Sequence, residues 1–240
     1  MPAEPQRRKQ TERRQESIQK ILDAAEALFA ASGFNGTTLN DVAKAIDGDT
    51  SLLRYYFTDK DGLFDAILKR RSGYVNAIRL AALDEYERIM GDDLTIEGII
   101  DAFVRPAFEL VASDEGWRNY AAIIAYLNSS RGARRQEMSV NFDESALRVI
   151  ELMQRALPDT DRREVFWGYH FLTGSFTFSL GQTGRIDTLS KGEVSSLDFV
   201  AITDRLVLTL AAGIRALCTR DMSVPIADEV QRRIGLPPKE

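Results

Sequence analysis

Two short runs of helical periodicity set the tightest constraint on what this chain can become. Residues 37–57 read TTLNDVAKAIDGDTSLLRYYF. Thr37 or Thr38 supplies an N-cap oxygen, and Leu39, Val42, Ala43 and Ile46 then recur at three- and four-residue steps, the period of one helical face. Ile46-Asp47-Gly48 interrupts, with Gly48 able to adopt backbone angles that other residues avoid. Asp49 or Thr50 caps a second helix. On a wheel of 100° per residue, Thr50, Ser51, Arg54 and Tyr55 fall on one side, and Leu52, Leu53, Tyr56 and Phe57 on the other. A helix with an apolar back and an outward row of hydroxyl, guanidinium and phenol groups suits the recognition helix of a helix–turn–helix lying in a major groove.

The flanks extend the pattern. Upstream stands Ile21-Leu22-Asp23-Ala24-Ala25-Glu26-Ala27-Leu28-Phe29, followed by Gly33-Phe34 and Thr37-Thr38. Downstream runs Tyr55-Tyr56-Phe57-Thr58-Asp59-Lys60-Asp61-Gly62-Leu63-Phe64. Over roughly residues 17–68 this succession resembles the N-terminal DNA-binding domain of the tetracycline-repressor (TetR) family, with its apolar AA-LF helix, G-TT, small-residue turn and YF-K-L ending. It departs in the turn, where Gly48 and Asp49 replace an apolar residue and a serine, and at Arg54, where a tyrosine is common. Those departures bear on base preference, not on fold.

Periodicity elsewhere is helical throughout, with no strand alternation and no repeats. A first firm helix covers 16–32, with Ile18, Ile21, Leu22, Ala25, Leu28 and Phe29 on one stripe, and Gly33 ends it. Asp59 caps a helix over 60–90. Thr95 caps 95–113, in which Pro106 predicts a kink. Helices over 115–129, 136–157, 161–182 and 196–219 follow, joined by a basic loop at Arg131–Arg135 and a polar connection before residue 196. The expected fold is all-α: an N-terminal three-helix helix–turn–helix domain followed by a helical ligand-binding and dimerisation domain. Its divisions are a flexible basic arm (1–14), a DNA-binding domain (15–60, with the start of the connecting helix), a helical domain (61–220) and a loose tail (221–240).

Charge is informative only when localised. The chain totals −5, yet residues 1–20 hold Arg7, Arg8, Lys9, Arg13, Arg14 and Lys20 against Glu4, Glu12 and Glu16. The field that DNA meets is local, so an acidic total does not exclude binding; it predicts a salt-sensitive one. The arm reads either as a solvated tail or as a basic strand entering a minor groove. The single cysteine, Cys218, excludes an intramolecular disulfide and a cysteine-built zinc site. The apolar runs 164–182 and 199–218 carry Glu164, His170, Asp204, Arg205 and Arg215, so neither suits a bilayer. No apolar signal-peptide core is present. No membrane partner is expected, and the expected location is cytoplasmic.

Candidate DNA contacts follow from chemistry and position. Thr38 can offer a phosphate its hydroxyl and a helix N-terminal amide, or serve as a plain cap. Asn40 can reach a base edge. Thr50, Ser51 and Arg54 are the base-reading candidates, Arg54 as a bidentate partner for guanine, and Tyr55 can meet a phosphate or a thymine methyl. Lys60 stands at the positive end of a helix dipole, which asks for another partner; the resemblance implies a DNA phosphate.

The two late helices are apolar on nearly all sides, as a helix buried all round must be. Phe166, Phe171, Gly174 and Phe178 on one, and Ile202, Leu206 and Leu210 on the other, are the candidates for a homodimer seam. Two such subunits require a pseudo-palindromic operator. Aromatic residues in the middle helices read as core or as the wall of a cavity. The resemblance implies an inducer site there, assigned to Phe103, Phe108, Trp117, Tyr120, Ile124 and His170. His170, the single histidine, reads from its own surroundings as a hydrogen-bonded core or interface residue rather than a ligand contact. No Gly-rich phosphate loop, Cys/His cluster or serine elbow supports catalysis, and neither cofactor nor metal is expected. The expectation is a ligand-responsive transcriptional regulator, a repressor releasing double-stranded operator DNA when a small apolar or aromatic molecule binds. The alternative is a helical small-molecule-binding protein or enzyme whose N-terminal hairpin is structural.

Overall fold

The first helix outruns its apolar stripe. The structure, a computed structural model, describes residues 4–129 and 135–218, and α1 covers Glu4–Gly36. The arm expected over 1–14 is therefore helical from Glu4 onward. Gln, Arg, Lys and Glu are strong helix formers, and here they prolong a helix whose later turns are held by burial. Residues 1–3 lie outside the described residues, as do 130–134, which take in the expected basic loop except Arg135, and 219–240, which take in the expected tail 221–240. At Gly33 the backbone leaves helical angles (φ 69, ψ 173), a conformation that side-chain-bearing residues rarely adopt. The expected stop thus appears as a break, with one short turn beyond it.

The hairpin follows as α2 (Leu39–Ala45) and α3 (Thr50–Phe57). Of the two candidate threonines, Thr38 is the N-cap of α2, in a capping box with Asp41. Thr37 is buried, and its hydroxyl donates to the Leu28 and Gly33 carbonyls of α1 at 3.2 and 3.0 Å. In the turn, Asp47 takes the left-handed angle (φ 53) and Gly48 does not. Gly48 is needed for space instead: a β-carbon there would stand 3.1 Å from the Ile46 side chain. Asp49 caps α3, accepting from the Ser51 amide at 2.7 Å.

The long α4 (Lys60–Met90) leads out of the hairpin, capped by Asp59. Gly62 in its first turn lies so close to the Phe57 carbonyl that a β-carbon would collide with it. Then come α5 (Ile96–Ser113), α6 (Glu115–Ser129), α7 (Arg135–Ala156), α8 (Arg162–Leu180), α9 (Arg185–Leu189) and α10 (Phe199–Cys218). Helix α5 continues through Pro106 to Ser113. Among the described residues, none of the helices is long and apolar enough to cross a membrane.

Two apolar cores hold these helices. The first joins Ile21, Ala25 and Phe29 of α1 with Val42, Leu53, Phe64 and Ile67, and Phe29 meets Phe64 edge-on at 5.1 Å. It does not stop at the hairpin: Tyr120, Ile123, Ile124 and Leu127 of α6 belong to it. The second core gathers Leu83 and helices α5, α7, α8 and α10 around Ile99, Phe108, Met153 and Phe176. Helix α6 is thus a wall shared by the two, since its Ala121 joins the second core.

Candidate nucleic-acid interface and ligand cavity

Helix α3 presents its outer face because one side chain pins its inner one. Leu53 is wholly buried, whereas Ser51, Arg54 and Tyr55 are exposed and Thr50 is half-buried. Tyr55, 75% exposed, is the most prominent of them. Leu52, placed on the apolar back by the wheel, is exposed too, so the outward face holds an aliphatic group beside its polar ones. Its helix is only two turns long, and Leu53 seats it with Tyr56 and Phe57 packed alongside. Tyr56 and Phe57 are half-buried, and the Arg14 guanidinium lies 5.8 Å over the Tyr56 ring.

Thr38 and Asn40 are also exposed at the start of α2. The Thr38 hydroxyl, however, donates to Asp41 at 2.6 Å, and its amide to the same carboxylate at 2.9 Å. Those bonds hold the Asp41 carboxyl below its ordinary range. Bonds from Ser51 do the same for Asp49 at the start of α3. Both carboxylates are therefore ionised at neutral pH, Asp41 as the capping-box partner of Thr38 and Asp49 as the cap of α3, and they fix the two helices of the hairpin.

Lys60 has partners within the chain that the expectation for it did not include. Its ammonium donates to the Phe34 and Thr37 carbonyls at 3.0 and 3.1 Å and sits 4.1 Å above the Phe34 ring. A partner for it is thus found within the chain, in carbonyls at and just beyond the end of α1. Lys20 plays the same part for α2, donating to the Ile46 carbonyl at 3.0 Å. Both lysines brace the hairpin from 26 residues away in sequence.

A second site opens among the middle helices, a cavity of about 260 Å³. Of the residues expected to line it, Phe103, Trp117, Tyr120 and Ile124 do. Phe108 does not: it is buried behind the wall, edge-on to Phe176 at 5.3 Å and 6.1 Å from Phe199. His170 does not line it either: it is exposed on α8 beside Trp167 and Phe171 and faces a separate pocket with Tyr126 and Gly174.

The cavity's main polar group was not anticipated. Arg79, 6% exposed, lines it with its guanidinium 4.8 Å over Phe103 and 5.1 Å over Phe176. Burial lowers its pKa to about 10, partly offset by the Tyr120 and Tyr169 phenols, so it remains cationic at neutral pH. Burial raises the Tyr120 phenol, whose hydroxyl finds no hydrogen-bond partner among the described residues. A readable signal existed: buried positions 72, 75, 79 and 83 of α4 form one stripe, and an arginine on such a stripe is anomalous.

Between the two sites lies a buried ion cluster. Glu26 of α1, 1% exposed, accepts from Arg71 Nε and Nη2 of α4 at 2.7 and 3.0 Å, and also from Arg70. Burial raises the Glu26 carboxyl against the pull of the two guanidinium groups. The Arg71 guanidinium stacks 4.4 Å over Trp117, a residue of the cavity wall. One contact chain therefore runs from cavity to α1.

On the far side, α8 exposes Phe166, Trp167, Phe171, Gly174 and Phe178, and α10 exposes Val200 and Leu208. Phe178 and Leu208 are each 66% exposed. Leu206, expected on this face, is instead buried in the subunit's own core, and Ile202 and Leu210 are half-buried against that core. Because apolar residues recur on most sides of α10, its sequence did not reveal which leucines turn inward. An apolar face of this kind is unusual on a free monomer.

Comparison with known proteins adds the following. Residues 21–67 match the family model for bacterial regulatory proteins of the tetR family, and residues 101–213 match the tetracyclin repressor-like C-terminal domain. The biofilm operon icaADBC HTH-type negative transcriptional regulator IcaR of Staphylococcus aureus is 37% identical over 59 residues, 25% of this chain and 32% of that protein. The chain thus spans about a third of that relative's length. The ketosteroid transcriptional regulator KstR2 of Mycobacterium tuberculosis has a similar fold (TM-score 0.59, 16% identity, 82% of this chain and 94% of that one). So has HlyIIR, a hemolysin II transcriptional regulator (TM-score 0.57, 15% identity, 82% and 98%).

Proposed function

This chain is a member of the tetracycline-repressor family, and on that footing we propose that it is a homodimeric repressor that releases its operator when a small molecule enters the cavity. The observation that carries this reading is the exposed row on α3, Ser51, Arg54 and Tyr55, seated by the wholly buried Leu53. Thr38, Asn40 and Thr50 flank it and complete the proposed DNA surface. Arg54 and Ser51 read base edges, and Thr38 and Tyr55 meet the backbone. Repression as the sign of control is supported by IcaR, a negative regulator. We assign the chain no catalytic role.

The division of labour we propose puts DNA binding in residues 15–60 and ligand binding and dimerisation in 61–220. A second copy covers the α8–α10 face through Phe166, Phe171, Gly174 and Phe178, with Leu208 taking the place expected of Leu206. A two-fold dimer sets the two α3 helices on half-sites one or more turns apart.

Release follows from the shared wall. Trp117, Tyr120 and Ile124 line the cavity, while Tyr120 and Ile124 also pack into the hairpin's core. A ligand that binds one placement of α6 better than another therefore shifts α1 and tilts α4, and with them the spacing of the two α3 helices. It can do so only to the extent of that difference in affinity.

Selection from randomised duplex DNA by the full-length protein tests the reading. Enrichment of a pseudo-palindrome bound in a strongly salt-dependent manner is expected. A folded dimer that enriches no sequence would favour a binding protein whose hairpin is structural.

A further inference from the structure

Arg79 stands in the middle of α4 with no anion to answer it. Among the described residues it forms no ion pair and no hydrogen bond, and its Nε is buried without an acceptor. The Phe103 and Phe176 rings attract the cation through their π-faces, yet rings accept its N–H groups poorly. The other buried carboxylate nearby, Glu26, is taken by Arg70 and Arg71. Asp143 lines the same cavity but is exposed, and its charge acts on Tyr169. Buried charge without a counter-charge is costly, and a fold retains it where something arrives to pair with it.

The Tyr120 hydroxyl, likewise buried and unpartnered, lines the same space. A cation and a hydroxyl donor thus face one cavity whose remaining wall is largely apolar, including Ala107, Leu110, Val111 and Leu180. Among the described residues, Arg79 is the only basic one lining it. One positive charge matches one negative charge, and a guanidinium fork matches the two oxygens of a carboxylate. Size narrows the rest. A cavity of ~150 Å³ accepts benzene, so about 260 Å³ holds one ring with a short chain, or a medium-length alkyl chain.

We propose that the cavity takes a monocarboxylate with an apolar aryl or alkyl body, its carboxylate bound by Arg79 and the Tyr120 hydroxyl. This rests on the reading of the cavity as the ligand site, and it adds the ligand's charge and class. The carboxylate replaces the missing counter-ion, while the apolar body fills the space against Phe103, Trp117 and Ile124.

Isothermal titration of the full-length protein tests this with two matched pairs: 4-phenylbutyrate with 4-phenylbutyramide, and octanoate with octanamide. Each acid should bind at least about tenfold more tightly than its amide. In Arg79→Met, acid and amide should bind alike, and Arg79→Lys should restore part of the preference. Equal binding of acid and amide to the natural protein overturns the proposal and leaves the cavity a ligand site, as does an acid preference that survives in Arg79→Met. Failure of all four compounds to bind overturns both. If Arg79→Met does not fold, the acid–amide ratio on the natural protein decides by itself.

Discussion

Glu26→Ala is expected to destabilise the protein by about 3–5 kcal/mol, the usual cost of deleting one partner from a buried ion pair. Two guanidinium groups converge on this one carboxylate, and its removal leaves Arg71 partly buried without its carboxylate, while Arg70 keeps as carboxylate partner only the exposed Asp23. Domain stabilities are only ~5–15 kcal/mol, so the variant should approach unfolding at ordinary temperature. Denaturant titration checks the figure. Adding Arg71→Met to Glu26→Ala should recover part of the loss, because the stranded charge goes with it. A loss below about 1 kcal/mol would mean that the cluster behaves as a solvated surface pair, and the path drawn from cavity to α1 would lose its middle link.

Charging the α8 face should be as consequential for binding while sparing the fold. Phe171 and Phe178 are both exposed in the subunit, so Phe171→Glu with Phe178→Glu removes no core contact. Placed across a two-fold seam, the four new carboxylates would be buried against their own copies. Light scattering is expected to show a monomer, and operator affinity should fall by roughly 10²–10⁴, the advantage that linking two half-site contacts confers. A doubly charged variant that stays dimeric with full affinity would place the seam elsewhere.

Much of the scaffold was legible because its signals are local. Asp59 and Thr95 cap the helices they were expected to cap, and of the paired candidates Thr38 and Asp49 are the caps, since a cap acts within three residues of itself. Gly33 breaks α1 where its stripe ends. What escaped depends on partners distant in the chain. Lys60 and Lys20 close helix ends 26 residues away, and Glu26 meets Arg71 across 45 residues. Only the folded arrangement could give Lys60 carbonyl partners.

Rotation about a helix apolar on most sides was equally hidden. Leu206 and Leu208 differ little as sequence, yet the first is buried in the core and the second stands in solvent. The cavity was half-legible for a related reason. Aromatic residues announced an apolar interior, and Phe103 proved to be wall while Phe108 lies behind it. Arg79 escaped because an arginine on a long helix reads as surface until its neighbours at 75 and 83 are seen to be buried.

Everything turns on whether α3 reads base edges. The most direct measurement compares Arg54→Ala with the natural protein on the selected operator and on unrelated duplex of equal length, at one salt concentration. Loss of a bidentate guanine contact should cost the operator about 1–3 kcal/mol per half-site, while binding to unrelated DNA changes little. If both affinities fall by the same factor, Arg54 is only one more positive charge near the backbone, and α3 is not the recognition element.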